Sequence, residues 1–185
     1  MMTFDFNDGN GPVPAHQHSN GGGWVADTAD VAETAYVGPY ACVFGNAAVE
    51  GNAKLLNNAI VCDNATVRDD AIVGCDTIID ITVVRDNVTI SGNARIGGSA
   101  DISGNAKVRG NAWVGDSVKV SGYANVSGEA RLYGSVRVGG NAWVLDNARV
   151  YGDTLVDGDT VINGDTEVYD SATLNHSSKN LESTI

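Results

Sequence analysis

Histidine is scarce in this chain: three in 185 residues, at positions 16, 18 and 176. No imidazole lies between Ser19 and Asn175, so the central region offers neither a histidine general base nor a three-histidine zinc site. Cysteine is equally sparse. Cys42, Cys62 and Cys75 make no disulfide framework and fit a reducing compartment, so a cytoplasmic location is expected. Three prolines exclude a Pro-rich linker. No run of 18 apolar residues is present, which excludes a membrane-spanning helix, and Met1 to Asn10 is polar and acidic, unlike a secretory signal. Lys and Arg are missing from residues 1–53, which hold six acids, and residues 150–185 hold seven acids against Lys179 alone. Only residues 54–149 are balanced, with ten charges of each sign, inside a net charge of −12. Direct binding to a nucleic-acid backbone is not expected from that balance. The acidic ends read either as solubility and resistance to end-to-end stacking, or as a surface competing for a nucleic-acid-binding enzyme.

What the chain has in abundance is a period of six. A small residue recurs at 23, 29, 35 and every sixth position to 77, then at 82, 88, 94 and every sixth to 172. Two places after each stands Val, Ile or Leu, as in Ala94-Arg95-Ile96 and Ala106-Lys107-Val108. Residues two apart in an extended strand point the same way, so both sets face one interior and the residue between them faces out. Pairs such as Gly45-Asn46, Gly104-Asn105 and Gly164-Asp165 separate the short strands. Gly adopts positive φ without steric cost and Asn or Asp tolerates it best among the others, so a bend every six residues follows. A solenoid of strands results.

These hexads resemble the hexapeptide-repeat family, whose members form a left-handed parallel β-helix with three hexads per coil. The likeness covers residues 23–174 in some 26 hexads. It implies an all-β, single-stranded solenoid of eight to nine coils, about 40 Å long at the ~4.8 Å strand spacing. One step is short: Thr77-Ile78-Ile79-Asp80-Ile81 has five residues, read either as a tightened corner or as a break between two stacked segments. The apolar run from Ile78 to Val84 is expected to be the strand that something else covers. Residues 1–22 read as an N-terminal arm or cap, and residues 175–185 as a polar C-terminal tail. The whole also resembles uncharacterised bacterial and phage members, which would make a virion-associated location the alternative to the cytoplasm.

Many members of the family are acyltransferases with acyl-CoA or acyl-carrier-protein donors and a histidine base on or beside a coil. This chain departs from them in having no coil histidine and no long loop between coils, so the resemblance implies no catalytic residue and no cofactor here. His16 and His18 form a His-x-His motif ahead of the coils. On a threefold axis six imidazoles would converge, as in trimeric phage fibres that hold iron, so the pair is the metal candidate beside the simpler reading of a solvated arm.

Residues 18 apart stack on one side of a three-hexad coil. Arg95, Trp113, Arg131, Arg149 and Glu167 then form one outward column, and Tyr133, Tyr151 and Tyr169 the next. Tyr, Trp and Arg are the residues enriched at binding hot spots, and stacked rings also stabilise a sheet, so the column is either an interface or a structural ladder. Trp24 and Trp143 are placed elsewhere on the exterior. Thr154, Thr160 and Thr166 occupy the inward small position, which excludes an outward threonine array. The expected function is a non-enzymatic scaffold working through protein contacts, oligomeric with a trimer favoured. The alternatives are a hexapeptide acyltransferase using acyl-CoA and an acidic, phage-type decoy. No membrane partner is expected.

Overall fold

The computed structural model describes residues 2–74, 77–80, 82–176 and 180–181, the last two and Asp80 and His176 by backbone alone. Each hexad contributes one strand of two to four residues, an outward side chain followed by a buried aliphatic one, as in Lys107–Val108 and Arg131–Leu132. Strands 18 residues apart pair in parallel register, Arg95 with Trp113 and Trp113 with Arg131. Three sheets result among the described residues, two carrying nine repeat strands and the third eight, and they wrap into a left-handed β-helix. Face I starts at Trp24–Ala26, face II at Asp30–Val31 and face III at Tyr36–Val37.

The interior is one continuous column of Ala, Val, Ile and Leu from Val25 to Ile162, with Val168 and Leu174 packed at its end. Buried threonines at the small position satisfy their hydroxyls locally. Thr160 and Thr166 donate to the carbonyls three residues back, Asp157 and Asn163, both at 2.6 Å. That removes the cost of a buried hydroxyl without a partner.

After the first coil, most corners are left-handed at the first residue of the turn pair, Gly at most of them and Asp or Asn at others, including Asp63, Asp116 and Asp146. Coil stacking makes Gly110 more than a conformational convenience: a Cβ there would lie 2.7 Å from the Gly128 carbonyl oxygen. Across the short hexad, Ile78–Asp80 pairs with Ile60–Cys62 on one side and with Arg95–Ile96 on the other. Face I is therefore unbroken at this point. Ile81 lies outside the described residues, as do Cys75 and Lys179.

The N-terminal segment caps the column. Strand β1 (Thr3–Phe4) pairs antiparallel with β2 (Val13–Gln17), which pairs antiparallel with β3 (Trp24–Ala26). The turn into β3 needs glycine: Gly21 has φ 119° and a Cβ would fall 2.2 Å from the Val37 carbonyl oxygen. At the far end, the backbone at Asn180–Leu181 pairs with Val161–Ile162, adding a strand beyond residue 174.

Candidate functional site

The outward side of face I carries two rows. Along the first stand Trp24, Cys42, Ile60, Ile78, Arg95, Trp113, Arg131, Arg149 and Glu167, each in register with the next. Trp24 is thus on the aromatic column, not elsewhere on the exterior as the unbroken count of 18 suggested. The five-residue hexad shortens one step to 17, from Ile78 to Arg95, and re-phases everything before it. The second row runs through Ala26, Phe44 and Cys62, then Gly97, Gly115, Tyr133, Tyr151 and Tyr169. The face divides into three stretches with different states.

The first stretch is covered by the chain itself. Phe4 stacks on Trp24 at 4.4 Å, Phe6 on Phe44 at 4.9 Å, and the two phenylalanines meet edge-on at 5.0 Å. Val13, Ala15, Ala26 and Cys42 complete this small outer core. Burial beneath it pushes the Cys42 thiol pKa up.

The last stretch is tied together by contacts within the chain, with Tyr169 still 43% exposed. Tyr151 and Tyr169 stack at 5.6 Å with planes 14° apart. Arg149 pairs with Glu167 at 3.2 Å, and the Tyr151 hydroxyl donates to the same carboxylate at 3.4 Å. Desolvation, with the Glu167 charge behind it, holds the Tyr151 phenol above the ordinary tyrosine range.

The middle stretch is open. Ile78 is 37% exposed and Trp113 46%. Trp113 meets Tyr133 edge-on at 5.3 Å. Gly97 and Gly115 carry no side chain in the second row; Gly97 leaves its backbone open, and Gly115 is buried against the Trp113 and Tyr133 rings. A groove of about 340 Å³ lies here, lined by Ile78, Arg95, Gly97, Trp113, Gly115, Asp116 and Tyr133. It adjoins a second of about 750 Å³ that shares Ile78, Arg95 and Trp113 and adds Asn58, Ile60, Asn93, Asn111 and Arg131. Among the described residues neither Arg95 nor Arg131 takes part in an ion pair.

Seven residues singled out by spacing therefore share one face but not one state. Arg95, Trp113, Arg131 and Tyr133 surround the open groove; Arg149, Tyr151 and Tyr169 belong to the closed stack. Ile60 was missed as a groove residue, and Ile78 was singled out as the start of an apolar run that something else covers but not as part of the column; counting 17 across the short hexad brings both into it.

The two early histidines are separately engaged. His16 Nδ1 lies 3.0 Å from Asp27 Oδ1 and is half exposed. His18 is buried at the turn between β2 and β3, with its Nδ1 near the backbone of Asn20. Among the described residues no three His, Cys, Asp or Glu side chains gather as a metal site. Trp143 stands on face III between Asn125 and Val161, 47% exposed. Among the described residues no helix is long and apolar enough to cross a membrane.

No protein-family model matches the chain, and no curated protein matches it significantly by sequence. Solved structures match by fold. A UDP-N-acetylglucosamine acyltransferase from Francisella novicida superposes with a TM-score of 0.66 at 19% identity, over 81% of this chain and 60% of that one. LpxA from Acinetobacter baumannii gives 0.56 at 17% identity, over 79% of this chain and 66% of that one. This chain thus spans roughly three-fifths to two-thirds of those proteins and has the hexapeptide-repeat β-helix fold they share.

Proposed function

We propose that this chain is a non-catalytic binding scaffold, a stiff β-helical column that meets its partner through the open groove of face I. The observation that carries the reading is the division of that face. Its two ends are satisfied within the chain, by Phe4 and Phe6 at one and by the Tyr151–Tyr169 stack at the other. Trp113, Tyr133, Arg95 and Arg131 between them remain open to solvent contact. Aromatic and guanidinium groups around an apolar floor are the composition of a binding hot spot. Copies of the chain associate through outward faces of the coils, a trimer being the arrangement the resemblance implies. The balanced charge of the middle coils makes this the least self-repelling part of an acidic column.

A specific observation favours a second reading, acyl transfer from acyl-CoA. The Francisella novicida structure named above is an acyltransferase, and Asp27 orients the half-exposed His16 imidazole through Nδ1. Its Nε2 is then left to take a proton from an acceptor hydroxyl or amine as it attacks a thioester. The test sets wild type against His16→Ala and Asp27→Asn, with acetyl-CoA and longer acyl-CoA donors and a panel of amino-sugar and amine acceptors. The scaffold reading expects no thioester cleavage above the protein-free rate. Turnover that both substitutions abolish would replace it with the acyltransferase reading. Light scattering on the same wild-type sample is expected to give a multiple of the chain mass, and a monomer would remove the oligomer from the proposal.

A further inference from the structure

The open groove has a chemistry of its own, and it narrows the class of occupant. Its floor is open backbone at Gly97, where a Cβ would meet nothing within 4 Å, while Gly115 is buried against the Trp113 and Tyr133 rings. Its walls are ring faces, Trp113 and Tyr133. Its rim holds planar hydrogen-bonding groups: the guanidinium groups of Arg95 and Arg131, and the Asn93 amide, which donates to Asn111 Oδ1 at 3.1 Å. The two adjoining depressions form a trough along the column axis, crossing successive rungs ~4.8 Å apart. That repeat is comparable with the length of one hexopyranose unit.

The backbone contributes nothing to recognition at this place. Arg95, Gly97, Trp113 and Gly115 each spend the N–H on a carbonyl of the next coil, at Ala112, Val114, Ala130 and Leu132. A peptide therefore has no sheet edge to extend, and main-chain hydrogen bonds are what give an extended peptide its affinity. An occupant must be held by side chains alone, through flat apolar faces and polar groups that reach outward.

Charge selects further. Arg95 and Arg131 have no carboxylate partner among the described residues. The one acid in the lining, Asp116, directs its carboxylate to the Gly134 N–H at 2.8 Å. The groove is a local cationic spot on a chain of net charge −12. Long-range attraction for polyanions is absent, so an anionic ligand is held by short-range, bidentate guanidinium–carboxylate contacts.

Resting on the reading of this groove as the contact surface, we infer that its ligand is an acidic oligosaccharide, a chain of pyranose rings bearing carboxylates. The rings lie over Trp113 and the open backbone at Gly97, with carboxylates at Arg95 and Arg131 and hydroxyls at the asparagine amides. The test is calorimetric titration of the full chain with oligogalacturonate, hyaluronan oligomers, a neutral cello-oligosaccharide and poly-glutamate. Saturable binding of at least one acidic sugar is expected, weakening as salt rises, with little binding of the neutral sugar or the peptide. Trp113→Ala and the Arg95→Ser/Arg131→Ser pair should each lower affinity about tenfold or more, whereas Trp143→Ala leaves it unchanged. Circular dichroism of each variant separates lost binding from lost fold. Equal binding of poly-glutamate, or affinity untouched by the groove variants, overturns the inference. If neither acidic sugar binds but Arg131→Ser/Tyr133→Ser lowers the wild-type oligomeric mass, the groove is a protein seam: the sugar falls and the scaffold reading stands. If neither sugar binding nor mass responds to these changes, both fall.

Discussion

The carboxylate of Asp116 accepts the backbone N–H of Gly134, the corner residue one coil further along, at 2.8 Å. Corner N–H groups point away from the ladder, and Asp86 and Asp146 serve those of Gly104 and Gly164 in the same way. Asp at a left-handed corner thus exchanges backbone strain for a bond between coils. Asp116→Ala keeps the strain and loses the bond, and is expected to cost about 1–3 kcal/mol. Asp116→Gly loses the bond but relieves the strain, and is expected to cost less than about 1 kcal/mol. Urea unfolding of the two variants checks the order; equal losses would mean that the carboxylate does not tie the coils.

The alternation of inward and outward residues makes a sharper contrast. Ile102 is fully buried and Lys107, in the next strand, is exposed. Ile102→Asp places an unpaired charge in the column and is expected to cost about 4 kcal/mol or more, unfolding the adjoining coils. Lys107→Asp is expected to stay within about 0.5 kcal/mol of wild type. Thermal melting of both reads the difference directly, and similar melting points would refute the assignment of faces.

Most of this column is legible in the chain because a side-chain period of two, repeated at six, leaves one solution for which residues turn inward. Val126 and Ile102 can be placed inside, and Thr160 at the small inward position, without coordinates. The cap is not legible. Phe4 and Phe6 stand in a segment with no hexad, and their partners Trp24 and Phe44 occupy outward positions that pattern alone assigns to solvent. The groove is half legible. Trp113 and Arg131 emerge from an 18-residue count, but Ile60 and Ile78 fall out of step because the short hexad absorbs one residue. No spacing distinguishes the closed Tyr151–Tyr169 pair from the open Trp113–Tyr133 pair, since that difference depends on side-chain directions and on Glu167.

The cap gives a spectroscopic prediction. Phe4 covers one face of Trp24. In a chain carrying Trp113→Phe and Trp143→Phe, Trp24 is the one tryptophan left, and excitation selective for tryptophan reads it alone. Adding Phe4→Ala is expected to shift that emission to longer wavelength and to cost about 0.5–1.5 kcal/mol for the lost stack. An unmoved emission maximum would show that the N-terminal segment does not sit on face I in solution.

The central claim is that face I is structural at its Tyr151–Tyr169 end and free for binding at its Trp113 end. It is tested most directly by thermal melting of two double variants side by side. Tyr151→Ser/Tyr169→Ser removes a ring stack and the hydroxyl bond to Glu167, and is expected to lower the melting temperature by about 3–6 °C, the equivalent of about 1–2 kcal/mol in a chain of this size. Arg95→Ser/Arg131→Ser removes two guanidinium groups that form no ion pair among the described residues, and is expected to leave the melting temperature within about 2 °C of wild type. A groove variant that melts as early as the stack variant would contradict the account, because those arginines would then be holding the column together.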